Sequence, residues 1–221
     1  MKLRSFLSLA LLAASLTVSA SLSAAPLRNT PGRFAPRDEC ARVPGAAAFR
    51  AALASAVQRR DADALVALAA ADVTLDFGGG SGKAELRKRL RGAQAAELWR
   101  ELAGVLALGC AVQERQLVLP WFFAQDLGDT DPFEVWLVAG TDVQIFPSES
   151  AIIKPIGRLS WQLVKPVGNI EADAPFQHVQ IVGGELTGYV PSAMLRSQIG
   201  YRLVAKRVGR NWRIGAFIAG D

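Results

Sequence analysis

YRLVAKRVGRNWRIGAFIAGD occupies residues 201–221. Apolar and polar residues interleave along YRLVAKRV and NWRIGAFI, and VGRNW turns the chain between them, so the segment reads as a β-hairpin. Where this hairpin finds its sheet decides the architecture. Pairing with the strands just before it would give a helical domain followed by a β-domain. Pairing with the first half would give one fold interrupted by an insertion. The plainer expectation is the former. The fold class is then α+β: an N-terminal helical region followed by a small β-barrel, with the C-terminal hairpin packed as an extension.

Moving upstream, QLVLPWFFAQ, VWLVAG, DVQIF, IGRLSWQLVKPV, FQHVQIV and ELTGYV are short, rich in Val and Ile, and parted by Gly, Pro and Asn. That pattern belongs to a small barrel or sandwich. Gly183-Gly184 suits a tight turn, since glycine takes positive φ without penalty. Before residue 111 the period changes. AAAFRAALASAVQRR places Phe49, Leu53, Ala56 and Val57 on one helical face. In DADALVALAAADV, Asp61 or Asp63 can cap a second helix with Leu65, Val66, Leu68 and Ala69 inward. VTLDF (73–77) is a strand candidate. KAELRKRL and QAAELWRELAGVLALGCAV read as two more helices, with Leu86, Leu90, Leu98, Leu102, Val105, Leu106 and Cys110 inward. The expected divisions are a signal peptide over 1–25, an extended leader over 26–44, a helical domain over 45–115, and a barrel with the hairpin over 116–221.

The signal reading rests on Lys2 and Arg4, an apolar run over 5–18, and small residues after it. The run is shorter than the ~20 residues a membrane span needs. Cleavage after Ala20, Ala24 or Ala25 would leave no spanning segment; an uncleaved anchor is the alternative. No cysteine near the cleavage region supports a lipid anchor. The expected location is periplasmic or secreted. The net charge is +5, and Lys2 and Arg4 would leave with the signal. The remaining charge forms no long basic block, which argues against nucleic acid as a partner. In an oxidising compartment Cys40 and Cys110 make a disulfide, which would contribute about 2–4 kcal/mol. Two separate buried thiols are the alternative.

DFGGGSGKAEL (76–86) invites comparison with a phosphate loop. The G-x-x-x-x-G-K-[ST] pattern fails at both ends, where Phe77 and Ala84 stand. The stretch reads instead as a glycine turn, with Ser81 capping a helix and Glu85 in its first turn.

Residues 135–190, about a quarter of the chain, resemble the bacterial SH3-like domain family. TDVQIFPSESAII carries Val143, Ile145, Pro147, Ser148 and Ser150 in matching places. Ile156-Gly157-Arg158-Leu159 precedes SWQLVKPV, and Phe176, Val179, Ile181, Gly184, Gly188, Tyr189 and Val190 follow in order. Departures are Gln144 for an arginine, Phe176 for a tryptophan, and a missing glycine near Ser160-Trp161. The resemblance implies a small barrel used outside the cytoplasm, often to bind cell-wall glycopeptide or protein. More faintly, residues 49–79 and 201–221 resemble the opening and closing parts of the nuclear-transport-factor-two-like cone fold. That likeness implies a barrel inserted between the halves of a cone.

The chemistry-bearing residues are sparse. His178 is the single histidine and reads as a solvated strand residue beside Gln180; no nucleophile and orienting carboxylate accompany it. One histidine and two bridged cysteines cannot make a zinc site, so no metal and no cofactor are expected. Asp126, Asp129, Asp131 and Glu134 do not follow the calcium-loop spacing and read as a solvated acidic loop. Asp72 and Asp76 border a turn rather than form an acid–base pair. Among the aromatics Phe146, Trp161, Tyr189 and Trp212, at least two pack in the core. Trp161 and Tyr189 are the ligand-binding candidates, because exposed rings stack on sugars or proline-rich peptides. No catalytic residue is assigned. The expected function is a non-catalytic envelope protein that binds peptide, cell-wall glycopeptide or an envelope protein. The alternatives are a small-ligand or enzymatic cone-fold protein and a structural subunit of an envelope complex.

Overall fold

The computed structural model describes residues 29–220, so the signal segment 1–25 lies outside the described residues. The helices are α1 (Ala46–Gln58), α2 (Ala62–Leu68), α3 (Gly82–Arg91) and α4 (Ala95–Ala107). Asp61 is the cap of α2: its carboxylate accepts the Ala64 amide at 2.9 Å. Ser81 stands at the cap position of α3, but its side chain makes no capping bond. Asp76 holds that turn instead, accepting the Gly80 amide at 2.8 Å and pairing with Arg89.

A five-stranded sheet lies against these helices, in the order β1 (Ala69–Thr74), β12 (Asn211–Ile218), β11 (Arg202–Val208), β3 (Gln116–Leu119), β2 (Ala111–Gln113). The C-terminal hairpin therefore pairs with β1 and β3, not with the strands that precede it. This corrects the expected packing of the hairpin as an extension of the barrel. The reason is burial. Leu203, Ala205, Ile214 and Phe217 face the same core as Leu53, Leu65, Leu102 and Leu117. β1 also starts earlier than the expected 73–77 strand. Ala69 and Ala70 favour helix in isolation, but β12 offers a parallel partner, with Ala69 beside Ile214. Opposite Val204 and Ala205, β12 carries the extra residue Gly215, a bulge that adds twist and helps curl the sheet.

The chain leaves this sheet after β3 and returns at β11. Between them lies a second, antiparallel sheet in the order β10 (Leu195–Ser197), β4 (Trp136–Val138), β7 (Leu163–Pro166), β8 (Phe176–Ile181), β9 (Thr187–Pro191). A separate hairpin, β5 (Val143–Ile145) with β6 (Gly157–Leu159), joins its edge: Phe146 and Tyr189 exchange both backbone hydrogen bonds, at 2.9 and 2.8 Å. Gly188 permits that approach, since a Cβ there would stand 2.6 Å from the Phe146 carbonyl oxygen. Val138, Val143, Ile145, Leu159, Val164, Val179 and Val190 fill the space between hairpin and sheet.

From Asn29 onward the leader straps the second sheet. The Asn29 amide nitrogen donates to the carbonyls of Leu163 and Val182, and its oxygen accepts the Leu163 amide. Phe34 sits with Phe122, Leu127, Val135, Leu137 and Leu163 in a second small core. The strap ends at the Cys40–Cys110 disulfide, whose Cα atoms are 5.7 Å apart. The sheets also meet through Arg196. Its guanidinium, largely buried between them, pairs with Glu101 of α4 at 3.6 Å and donates to the Tyr201 carbonyl. Burial pulls its pKa below the ordinary arginine value, against the opposing pull of Glu101.

Candidate functional site

β8 and β9 alternate along their length. Val179 and Val190 point inward, while His178 and Tyr189 lie opposite each other on the outer face. Their rings stack 4.7 Å apart and 14° from parallel. Phe176 lies two residues before His178 and meets the buried Phe146 edge to face, 5.9 Å away. These rings floor an open groove of about 230 Å³.

Two loops make its walls. Glu149 comes from the loop after β5, and Asn169 and Glu171 come from the loop between β7 and β8. The second loop is pinned from below. Buried Gln177 donates to the Glu171 carbonyl, and Ser192 donates through its hydroxyl to Ala174 and through its amide to Pro175. Neither Lys nor Arg lines the groove. It therefore offers aromatic rings and hydrogen-bond acceptors to a ligand rich in donors: a sugar, or an extended peptide with its amides exposed.

Tyr189 thus lies in a groove. Trp161 does not line it. It stands at the corner between β6 and β7 with φ +48°, the left-handed conformation a glycine would take without strain. Its amide donates to Gly140, its carbonyl accepts the Phe34 amide, and its indole nitrogen donates to Thr141. Trp161 therefore packs against the strap core, and the two ring candidates are not brought together. By sequence alone His178 is a solvated strand residue; only its cross-strand partner reveals the stack. Trp212 and Phe146 are buried, Trp212 donating to the Pro44 carbonyl at 3.0 Å.

The other acidic candidates except Asp129 have partners among the described residues. Asp72 accepts from Lys206 at 2.9 Å, and Asp76 pairs with Arg89. Hydrogen bonds to those cations hold both carboxyls below their ordinary range, which keeps them ionised and unsuited to donating a proton. Asp126 accepts the Gly128 amide, Asp131 accepts the Phe133 amide, and Glu134 pairs with Lys165. Among the described residues no group of three His, Cys, Asp or Glu side chains is arranged to hold a metal ion.

Two other spaces bear on function. Beneath the curled sheet the stacked rings of Tyr201 and Phe217, with Leu75, Leu86, Arg89 and Leu90, leave about 10 Å³, at the limit for a single water. A larger hollow of about 340 Å³ lies at the Gly183-Gly184 turn, bounded by Lys165, Gln180 and Glu185, and presents no aromatic face. No helix among the described residues is long and apolar enough to cross a membrane. No protein-family model matches the chain, and no curated protein matches it.

Proposed function

We propose that the protein is an exported, non-catalytic binding protein of the cell envelope. On this reading the second sheet with its β5–β6 hairpin serves as an SH3-like barrel, and the groove over Phe176, His178 and Tyr189 takes cell-wall glycopeptide. The observation that carries it is the stacked His178–Tyr189 pair, set in a groove whose walls are acceptors. Sugar rings lay their C–H faces on such rings and turn their hydroxyls to carboxylate and amide oxygens. The Cys40–Cys110 bridge supports export, since disulfides persist in oxidising compartments.

The first sheet and its helices are read as the cone-type half of an interrupted fold, supported by the pairing of β11 and β12 with β3 and β1. A small-ligand role for that half would need a cavity under the sheet, and the packed rings there favour the groove instead.

The test is co-sedimentation of the protein with purified murein sacculi. Wild type is expected in the pellet. Tyr189→Ala, checked as folded by circular dichroism, should bind about three- to tenfold more weakly, the worth of one aromatic contact. A protein retained neither by sacculi nor by envelope proteins would end this reading. Retention by envelope proteins alone would replace the glycopeptide with a protein partner.

A further inference from the structure

We infer that the strap carries a second binding site, for an oxyanion, built from Arg33 and Arg37. The two side chains line one open pocket of about 200 Å³ together with Phe34, Trp121, Gln125 and Asp126. It shares no residue with the aromatic groove. Each guanidinium rides on an aromatic ring: Arg33 lies 5.1 Å from the centre of Phe34, and Arg37 lies 4.9 Å from that of Trp121. A guanidinium held by its face keeps its in-plane N–H groups free, and that fork is the geometry that grips carboxylate and phosphate oxygens.

Those donors are largely unspent. Among the described residues no carboxylate stands within ion-pair distance of either arginine, whereas Arg50, Arg59, Arg87, Arg89, Arg91 and Arg196 are each paired. The Nε of Arg33 is buried and has no hydrogen-bond partner, and its Nη2 reaches only the Asp126 carbonyl, at 3.5 Å. The one carboxylate in the wall, Asp126, is turned to the Gly128 amide at 2.8 Å.

The backbone holds both arginines in place. The Gly32 amide donates to Ser160 and the Phe34 amide to Trp161, which fixes Arg33 between them. The Cys110 amide donates to the Arg37 carbonyl at 2.9 Å, beside the disulfide. Gly109 makes room: a Cβ there would lie 2.3 Å from the Arg37 oxygen. A site whose ligating groups are positioned before the ligand arrives loses less entropy on binding.

The experiment is a titration of the oxidised protein with inorganic phosphate and, separately, with N-acetylglycine, followed by the arginine Nε–Hε NMR resonances. The Arg33 and Arg37 signals should shift and saturate with at least one probe, and the stronger probe tells a phosphate source from a peptide carboxylate. Arg37→Gln should weaken binding about tenfold, as expected for losing a charge-assisted fork, while Arg100→Gln on α4 should leave it unchanged. The proposal is overturned if neither probe saturates, or if Arg100→Gln weakens binding as much as Arg37→Gln. If Arg37→Gln disturbs the fold, Arg33→Gln in a protein with an unchanged spectrum takes its place, and undiminished binding there overturns the proposal equally.

Discussion

The first sheet is covered by four amphipathic helices, and its core draws on leucines from every one of them together with β3 and β11. Among the described residues the second sheet has no α-helix, only single 3-10 turns such as Ser192–Met194. Its main core is seven small and branched side chains between the sheet and one hairpin. It completes itself by borrowing: Phe34 comes from the leader and Phe122 from the turn after β3. A sheet too small to bury its own surface needs such outside residues. The difference teaches that the leader is a structural part of the second sheet although it precedes the first in sequence. The rim of the second sheet, without α-helices among the described residues, is also where loops are left to shape a groove.

The largest expected effect comes from removing the borrowed ring. Phe34→Ala should destabilise the second sheet by about 3–5 kcal/mol, the usual range for a buried phenylalanine. Urea unfolding followed by hydrogen exchange should show β4, β7 and β8 opening before β11 and β12. Equal loss of protection in both sheets would mean they unfold as one unit and that the strap serves both.

The disulfide comes next. Its cysteines are 70 residues apart and tie the end of the strap to the start of β2. Cys40→Ala with Cys110→Ala should cost about 2–4 kcal/mol, mainly by releasing the unfolded chain. Thermal unfolding should record this as a drop in Tm, largest for the probes in α4 and β2. An unchanged Tm would show that the packing of Cys40 and Cys110 alone holds that corner.

The smallest effect is electrostatic and belongs to the first sheet. Arg89 hydrogen-bonds to Asp76 and Glu85 and lowers both carboxyl pKa values from 3.8 and 4.5. A carboxylate with a depressed folded pKa adds stability above its unfolded pKa and loses it as pH falls through the folded one. The urea midpoint should therefore decline as the pH drops below about 4.5. Asp76→Asn should flatten part of that decline. A decline of the same slope in the variant would remove Asp76 as a contributor.

Much of the first half is legible residue by residue. Phe49, Leu53, Ala56 and Val57 recur at helical spacing and are all buried, as are Leu86, Leu90, Leu98, Leu102 and Val105. The glycine run at 78–80 fails the phosphate pattern at Phe77 and Ala84, and it is a turn held by Asp76. What stays hidden is long-range. The alanines of β1 carry no strand signal, because a parallel partner from the far end of the chain supplies their reason to extend. In the groove, Tyr189 stands out as an aromatic near a glycine, whereas the importance of His178 depends on the β8–β9 register that sets it opposite. Arg33 and Arg37 lie in a stretch whose composition marks only an extended leader; nothing local shows them sharing a pocket.

The sequence by itself determined the kinds of most elements, the two cysteines and the single histidine. Those follow from side-chain period and from residue chemistry, both local properties. Only the tertiary structure decided which edge receives the C-terminal hairpin, which rings meet across strands, and that the leader returns to plug the second core. Each of these depends on burying apolar surface between segments far apart in the chain, and hydrophobic burial rewards contact area wherever it is found.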